Sequence, residues 1–355
     1  MKKSVYINSI GSVSVQKTYD GTTFLKDIIA YKDTTLKVVD PNYKDFIPPA
    51  AARRMAKGIK MSTVSSHTAL KEAGLENVDA IIVGTGLGCL GDSEKFVSDI
   101  IDNDEQYLTP TRFIQSSHNT VAGQIALAMG CKGYNFTYVH ANVSFESSLW
   151  DAKLQLENDE ATNILVGGVD EMVNHHVETH RLIGHLKEVP TSNEEVLTAT
   201  TKGCIIAEGS HFFVLSNKKQ DTSYSKLVAV RTYNTLDISE VSTTITAFLS
   251  EMNIPLEGID LVVLGNNGDS EYDRYYHNLS AGLFKDISQI AYKHLSGEYD
   301  TATGFAFWVA NKVFKTQSVP EVLRLNKLKT AKPQRILIYN QYRGKNHSLV
   351  VLEKC

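Results

Sequence analysis

The chain has 355 residues, 42% of them hydrophobic, and its formal net charge is −4 at pH 7. This length allows a large buried core and two domain-sized halves. The near-neutral charge balance, without a lysine- or arginine-rich block, argues against nucleic-acid binding and against attachment to an anionic membrane.

Cysteine usage and the N-terminal segment predict a cytoplasmic protein. Four cysteines lie far apart and show no C-x-x-C spacing: Cys89, Cys131, Cys204 and Cys355. This pattern argues against a zinc site or a disulfide framework and fits a reducing compartment. The N-terminal segment is predicted to be a strand and no signal peptide, because Asn8, Ser9 and Gly11 interrupt its apolar run. No stretch approaches the roughly 18 apolar residues of a membrane-spanning helix.

Apolar periodicity predicts alternating strands and helices along the chain. In residues 1–216 the predicted strands are Val5–Val15, Val78–Thr85, Asn135–His140 and Ile164–Val166, with a strand pair over Cys204–Leu215. The predicted helices there are Ala51–Ala73, Glu94–Ile101, Asn119–Met129 and Ser144–Leu156. Residues 18–50 are predicted to be irregular and polar, and Thr109-Pro110 to start a turn.

The second half repeats this rhythm. Its predicted strands are Leu227–Tyr233, Ile259–Leu264, Ile287–Ala291, Ile336–Tyr339 and Ser348–Leu352. Its predicted helices are Ser239–Met252, Tyr272–Leu283 and Thr301–Phe314. The alternation predicts an α/β fold with mostly parallel sheets covered by helices, built from two similar halves at residues 1–216 and 217–355.

The most informative stretch runs from Tyr134 to Gly168 and predicts a strand, a sharp turn, a helix and a second strand. Such an elbow directs one side chain to the helix N-terminus, where unpaired N–H groups and the helix dipole activate a thiol. The residue at this position is Asn142. An amide nitrogen is a poor nucleophile because its lone pair is delocalised, so the stretch has the scaffold of a nucleophile without the nucleophile.

Three other features invite functional interpretations. The loop Gly84–Gly88 superficially resembles a phosphate-binding turn, but its glycine spacing and the lack of a Lys-Ser/Thr ending favour tight backbone packing and no nucleotide cofactor. Four histidines suggest either a metal site or a polar cap over the mouth of the fold: His175, His176, His180 and His185. The HVETH spacing differs from H-E-x-x-H and no third ligand is evident, so the polar cap is favoured.

A serine could replace the missing nucleophile, with His140 as its base. The candidates are Ser144, Ser147 and Ser148. Ser144 falls in the first turn of the predicted helix, where capping of N–H groups is the favoured interpretation.

The order and spacing of several motifs resemble the β-ketoacyl synthases of the thiolase fold, the condensing enzymes of fatty-acid and polyketide synthesis. The matching segments are Val5–Val15, Arg53-Arg54-Met55, Ile82–Gly88, Phe113 with Asn119 and Gly123, Leu165–Glu171, Gly203 with Ile206–Gly209, and Lys293–Gly297 with Ala302 and Gly304. Glu208 falls in the family's structural GEG turn, and Arg53 and Arg54 are interpreted as structural or carrier-facing.

The resemblance implies an α-β-α-β-α layered, thiolase-like fold and a dimer. In that dimer the strand before the elbow, Asn135 to His140, pairs with the same strand of a partner subunit. It also implies an acyl-transfer reaction that needs a cysteine and two histidines. Counting within the family motifs places these three positions at Asn142, Asn267 and Glu298, whereas Lys293, the lysine of the family stretch, is kept.

The replacements remove the chemistry that the resemblance implies. Asn142 cannot form a thioester, and Asn267 cannot cycle a proton near pH 7. An ionised Glu298 would repel a developing enolate. The family threonines that contact the pantetheine arm are replaced by Asp269 and Glu271. The glycine-rich gate near the C-terminus corresponds to Asn340–Asn346 and is about two residues shorter.

Three hypotheses follow. The favoured one is a catalytically silent subunit of the chain-length-factor type, which forms a heterodimer with an active ketosynthase through the helix Asn119–Met129 and the strand Asn135–His140. An acyl carrier protein with a phosphopantetheine-bound chain is a further expected partner, and no metal or cofactor is expected. The second is an enzyme of altered chemistry, such as a malonyl-carrier-protein decarboxylase. The third is an ordinary 3-oxoacyl synthase or acyltransferase whose motifs are misaligned here.

Overall fold

The computed structural model describes residues 2–21, 24–330 and 332–355. Its strands are β1 (Val5–Val13), β2 (Lys32–Asp33), β3 (Ala80–Gly84), β4 (Tyr134–Tyr138), β5 (Asn163–Asp170), β6 (Thr191–Ser192), β7 (Gly209–Ser216), β8 (Ser225–Thr235), β9 (Leu261–Leu264), β10 (Ser288–Ala291), β11 (Arg335–Tyr342) and β12 (Lys345–Lys354). Its helices are α1 (Pro49–Ala52), α2 (Lys57–Ala73), α3 (Leu90–Asp102), α4 (Pro110–Ser116), α5 (Thr120–Met129), α6 (Ser144–Glu157), α7 (Asn174–Leu182), α8 (Asn193–Val196), α9 (Ile238–Glu251), α10 (Arg274–Ala281), α11 (Lys293–Ser296) and α12 (Thr303–Thr316).

One mixed sheet runs through the described part of the chain. Its strand order is β10-β9-β11-β12-β8-β1-β7-β5-β3-β4. Parallel pairing is confined to β9 with β10 and β11, and to β3 with β4 and β5. The remaining pairs are antiparallel, so the expectation of mostly parallel sheets is wrong. A main cause is the turn at Arg343-Gly344, where two successive positive φ angles fold β11 directly back into β12.

Two predicted elements need correction. The helix predicted over Ala51–Ala73 is divided, because Arg53–Ala56 separate α1 from α2, although Gly74 ends α2 in the left-handed conformation as expected. Residues 204–207 form no regular strand. Cys204 forms backbone hydrogen bonds with His185 and Lys187, Ile206 with Thr34 and Leu36, and Ala207 with Glu298. Because these bonds go to three different segments, residues 204–207 do not pair with any one strand.

Side chains from successive residues of the strands enter different layers of core. Ile82 of β3 packs in a central core with α6 and α12, whereas Ile81 and Val83 pack outwards against α2 and α5. In the same way, Val263 of β9 faces the central core and Val262 faces α9 and α10. These alternations give the layered α-β-α-β-α arrangement of a thiolase-like fold.

The middle layer explains the composition of α12. Every residue from Thr303 to Phe314 is buried, which fits a helix enclosed on both sides by other elements of the fold. Strands of residues 1–216 and of residues 217–355 occupy separate halves of the sheet order, and they meet where β1 pairs with β8 over Val5–Ile7. The division of the chain after residue 216 stays a prediction. No helix in the described ranges is long and apolar enough to span a membrane.

The end of β3 sets the position of the elbow. Gly84 is buried there, and a Cβ built on it would lie 2.5 Å from the backbone carbonyl carbon and oxygen of Ser144, the first residue of α6. Only a residue without a side chain allows this approach, and the approach holds the turn that carries Asn142 against the sheet.

We expect Gly84→Ala to lower the free energy of unfolding by about 1–3 kcal/mol or more, because backbone atoms of α6 must move to admit the methyl group. Chemical denaturation measures the loss. The matched control is Gly123→Ala in α5, where a Cβ meets nothing within 4 Å and where alanine is expected to be neutral or stabilising. Equal effects of the two substitutions would contradict this packing argument.

Candidate functional site

Asn142 lies in the turn between β4 and α6, as the sequence predicts. The turn is a short 3₁₀ segment, Ala141–Val143, and Ala141 has a positive φ of 48°. A left-handed alanine is strained and persists only where the surroundings enforce it. Here the Ser144 hydroxyl accepts the His140 N–H (2.8 Å) and donates to the Ala141 carbonyl (2.7 Å), which closes the turn.

A cavity of about 90 Å³ lies beside this turn. Side chains from distant parts of the chain line it, among them Asn142, Asp170, Cys204, Glu298, Asp300 and Tyr342. A wider space of about 530 Å³ adjoins it, and Asn142, Asp300 and Tyr342 line both. Two of the predicted positions, Asn142 and Glu298, therefore face one cavity.

The other two predicted residues, Asn267 and Lys293, bind Glu298 on the side away from the cavity. The Lys293 Nζ donates to Glu298 Oε2 at 2.8 Å, and the Asn267 Nδ2 donates to the same oxygen at 2.6 Å. The Lys293 side chain is 0% exposed and that of Glu298 is 4% exposed. Neither Asn267 nor Lys293 is among the described residues that line the cavity. The structure thus brings Asn267, Lys293 and Glu298 into one buried network.

The loop after β9 is held by a second carboxylate. Asp273 accepts the backbone N–H groups of Asn267 and Gly268 at 3.0 and 2.9 Å. Burial raises the pKa of Asp273 to about 6, against the effect of these hydrogen bonds. The Asn267 Oδ1 accepts the N–H of Asp269 (3.0 Å), so the amide of Asn267 has both its ends engaged.

Charged pairs occupy the region where the resemblance places a pantetheine arm. Asp269 forms an ion pair with Arg343 at 3.2 Å, and the guanidinium of Arg343 lies 4.5 Å from the centre of the Tyr272 ring. Glu271 pairs with Lys202 at 3.1 Å. Residues 340–346, predicted to be a dismantled gate, form the β11–β12 hairpin, whose turn residue Arg343 lines the wider space.

Three of the four histidines lie at this mouth. His176 and His180 pack edge to face, and the Nδ1 atoms of His180 and His185 are 3.2 Å apart. Burial lowers the pKa of His180 to about 4, with a smaller contribution from the neighbouring charges, so this ring is neutral at pH 7. His175 lies outside the mouth and is exposed. No cluster of three His, Cys, Asp or Glu side chains in the described ranges is arranged to hold a metal ion.

The serine alternative has partial geometric support away from the cavity. Ser147 Oγ lies 3.0 Å from His140 Nδ1, but it donates to the Val143 carbonyl at 2.9 Å. Ser148 is fully buried and donates to the Ser144 carbonyl. None of these serines is among the described residues that line the cavity or its mouth.

Sequence reasoning missed several cavity residues. Asp300 is two positions after Glu298, and burial with the nearby charges of Asp170 and Glu298 raises its pKa to about 8. Cys204 also lines the cavity, and burial raises the pKa of its thiol. Neither residue is one of the motif positions that carry the resemblance, so the motifs do not single them out. An acidic residue between Glu298 and Thr301, in an otherwise buried segment, was the one available hint.

Three further motif residues, Glu208, Arg53 and Arg54, lie away from the cavity. Glu208 accepts N–H groups from Val38 and Met172 at 3.1 Å each and contacts Lys57, so it ties three segments together. Arg53 and Arg54 are exposed between α1 and α2.

Comparison with known proteins gives a consistent result. The family model "Beta-ketoacyl synthase, N-terminal domain" matches residues 29–221, more than half of the chain. A 3-oxoacyl-[acyl-carrier-protein] synthase 2 of Staphylococcus aureus (strain N315) is 24% identical over 140 residues, which are 38% of this chain and 34% of that protein. The chain therefore matches only about a third of the length of its curated relatives.

Solved structures match over nearly the whole chain. The ishigamide ketosynthase/chain length factor superposes with a TM-score of 0.80 at 15% identity and covers 100% of both chains. A ketosynthase in complex with its chain length factor from Xenorhabdus doucetiae gives a TM-score of 0.75 at 14% identity, covering 99% of this chain and 98% of that chain. A β-ketoacyl synthase from Burkholderia phymatum STM815 gives 0.82 at 13% identity, with 100% of both chains covered. At these identities the likeness establishes the fold.

We expect Lys293→Met to lower the free energy of unfolding by about 3–5 kcal/mol, because it leaves the Glu298 carboxylate buried without its counter-charge. The double variant Lys293→Met/Glu298→Gln should recover part of this loss. Urea unfolding of the single and double variants measures the coupling. As a control, Lys329→Met removes an exposed partner of Asp286 and should leave stability close to unchanged. A loss below about 1 kcal/mol for Lys293→Met would contradict the buried ion pair.

Proposed function

The chain belongs to the β-ketoacyl synthase family, and we propose that it acts there as a catalytically silent subunit of the chain-length-factor type. It pairs with an active ketosynthase in fatty-acid, aryl-polyene or polyketide-like biosynthesis. Asn142, Asn267 and Glu298 are then vestiges of the family's cysteine and two histidines. The observation that carries the proposal concerns Glu298, which lines the cavity and is bound from outside the cavity by Lys293 and Asn267.

The geometry of the three positions supports the loss of condensation. At the elbow, Asn142 offers an amide where a thioester must form. The Asn267 amide donates to the Glu298 carboxylate and accepts from Asp269, so its orientation is fixed toward Glu298, and unlike a histidine it cannot exchange a proton near pH 7. Glu298 adds negative charge where the reaction develops negative charge.

The alternatives lack a specific supporting observation. A decarboxylase needs the donors that Asn267 and Glu298 no longer supply. An ordinary synthase needs a reactive thiol, and Cys204, which does line the cavity, is buried among groups that raise its pKa and suppress the thiolate.

The outer edge of β4 supports a partner. β4 ends the sheet and pairs on one side with β3, while its other edge has no strand partner within the described ranges. Its aromatic residues form a row in which Tyr134 stacks on Phe136 and Phe136 contacts Tyr138. Apolar side chains near it in the fold are exposed, with Leu127 of α5 at 76% and Trp150 of α6 at 52%. An open edge with exposed apolar neighbours is a liability unless another chain covers it.

The matching structures support this kind of partner. Two of them are a ketosynthase/chain length factor and a ketosynthase in complex with its chain length factor. A further structure is described as an acyl-carrier protein in complex with its ketosynthase. We therefore propose that the partner of this chain is an active ketosynthase and that an acyl carrier protein binds transiently to the complex.

Co-expression with an active ketosynthase encoded in the same genome is expected to yield a stable 1:1 complex, and Phe136→Asp should weaken it at least tenfold because a buried, unpaired charge would lie at the strand edge. Size-exclusion chromatography with light scattering and titration of the separate subunits measure both. The control is Leu325→Asp, an exposed residue bonded to β10 at the opposite end of the sheet. The pairing would be refuted if the chain formed only homodimers when co-expressed with each active ketosynthase of the same genome.

Incubation of the purified chain with a malonyl-carrier protein and an acyl donor is expected to give neither condensation nor acetyl product. Asn142→Cys should acquire an acyl adduct, because the N-terminus of α6 favours a thiolate there, but it should still not condense while Asn267 and Glu298 remain. Intact-protein mass spectrometry and product analysis measure both. Acetyl product from the unmodified chain that is lost in Asn267→Ala would establish the decarboxylase instead.

A further inference from the structure

We propose that the cavity beside Asn142 binds the head group of a small primary alkylammonium ion, with Asp300 as its counter-ion. This goes beyond the role of a partner subunit, because the cavity is built from this one chain. It assigns a ligand class to a space that, in the proposed function, no longer serves condensation.

Carboxyl groups dominate the polar lining of the cavity. They come from Asp170, Glu171, Glu298 and Asp300. Among the described lining residues there is no lysine or arginine. Lys293 lies behind Glu298 with a side chain that is 0% exposed, and Arg343 lies at the mouth in its pair with Asp269. The described wall of the cavity therefore has four carboxyl groups and no basic side chain. Burial raises the pKa of Asp170, Glu171 and Asp300, so a positively charged ligand is what would favour an ionised carboxylate here.

Two of the four carboxyl groups have their hydrogen bonds complete. Asp170 accepts from the Gly86 N–H and from the backbone and hydroxyl of Thr301, at 2.7–2.8 Å. Glu171 accepts the N–H groups of Gly58 and Gly91, one on each oxygen, at 2.7 Å. The hydrogen bonds hold these two carboxyl groups in place and satisfy their oxygens without a ligand.

The other two are incomplete. Glu298 is bound through Oε2, whereas its buried Oε1 has no hydrogen-bond partner within the described residues. Asp300 makes no hydrogen bond there at all, although it lines both the cavity and its mouth. The buried Oε1 of Glu298 is costly without a donor, and the partly buried Asp300 brings a second unpartnered carboxyl group to the same cavity.

The remaining wall favours an organic ammonium over other donors. An –NH₃⁺ group has three donors, and the cavity wall offers acceptor oxygens from Asp300, Glu298 and the Asn142 side chain, whose amide also has no partner within the described residues. Tyr299 and Tyr342 line the same cavity, and aromatic rings attract cations. An anionic malonyl group would find no lysine or arginine among the described lining residues.

The size of the space limits the ligand. One water needs about 10–15 Å³ of such a cavity, and an engineered cavity of about 150 Å³ holds benzene, so about 90 Å³ suits a head group of a few heavy atoms. Asp300 and Tyr342 continue into the wider space of about 530 Å³, which leaves room for an alkyl chain directed to the mouth.

Binding should depend on pH in a defined way. Free Asp300 is protonated below its pKa of about 8 and must lose that proton to face an ammonium ion. Affinity should therefore rise about tenfold per pH unit from pH 6 to 7 and level off near pH 8, below the pKa of an alkylamine. The titratable and charged groups around Asp300 are Asp170, Lys293, Glu298, Tyr342, His176 and His180. The two histidine pKa values lie below the usual range, so they do not account for a rise above pH 6.

The test uses the full chain with methylammonium and propylammonium as probes in saturation-transfer NMR titrations. Both should bind, propylammonium more tightly, while 1-propanol, acetate, K⁺ and Mg²⁺ should neither bind nor compete at equal concentration. Asp300→Asn should weaken binding at least tenfold at pH 8 and abolish the pH dependence. The control Asp286→Asn, whose side chain is 87% exposed, should change neither.

Calorimetry of the unmodified chain at pH 7 in buffers of different ionisation enthalpy supplies a second measurement. Nearly one proton should be released per propylammonium bound. Zero release, equal binding of 1-propanol, displacement by K⁺ or Mg²⁺, or an unchanged Asp300→Asn variant would each overturn the proposal. The 1:1 complex with a ketosynthase should form equally well with Asp300→Asn, so failure of the ligand site and failure of the pairing are separate results.

Discussion

A buried lysine facing a buried glutamate sets the conditions for the rest of the site. Lys293 is the first residue of the short helix α11 and Glu298 lies two residues after its end, and neither has appreciable contact with water. Two such charges are tolerable only together, since either alone would cost several kcal/mol in the interior. The pair also fixes the orientation of Asn267, because Glu298 Oε2 accepts a second hydrogen bond from the amide of that residue. Asn267, Lys293 and Glu298 thus hold one another in place in the interior beside the cavity.

Architecture and chemistry are separable in this fold. The strained turn at Ala141, the close approach of α6 to Gly84 and the fully buried helix α12 all depend on backbone geometry and apolar packing. None of them requires a particular side chain at the elbow. The packing of the scaffold therefore does not depend on which side chain stands at the elbow.

The alternation of strands and helices, the elbow and the positions of Asn142, Asn267 and Glu298 could be read from periodicity and motif spacing, because local pattern and family order both carry them. The strand directions could not, since they depend on which distant segments meet. The segment from Cys204 to Ala207 looks like a strand by composition, yet its backbone bonds are shared among three other segments. Asp300 and Cys204 escaped for a related reason. A side chain outside the matched motif positions becomes a cavity residue only through the packing of elements far apart in sequence, and no local signal records that packing.

The position of β4 has a consequence for the geometry of an assembled complex. β4 leads directly into the turn at Ala141–Val143, so a strand hydrogen-bonded along its free edge would be connected through backbone bonds to this chain's elbow. If the partner's own elbow follows the equivalent strand, the register of the pairing fixes how far apart the two turns lie. A slip of one residue would displace the partner's nucleophile by about 3.3 Å along the strand and turn its flanking side chains to the opposite face. If this chain is the silent subunit that we propose, its β4 would then fix the position of the partner's active-site turn relative to the shared interface.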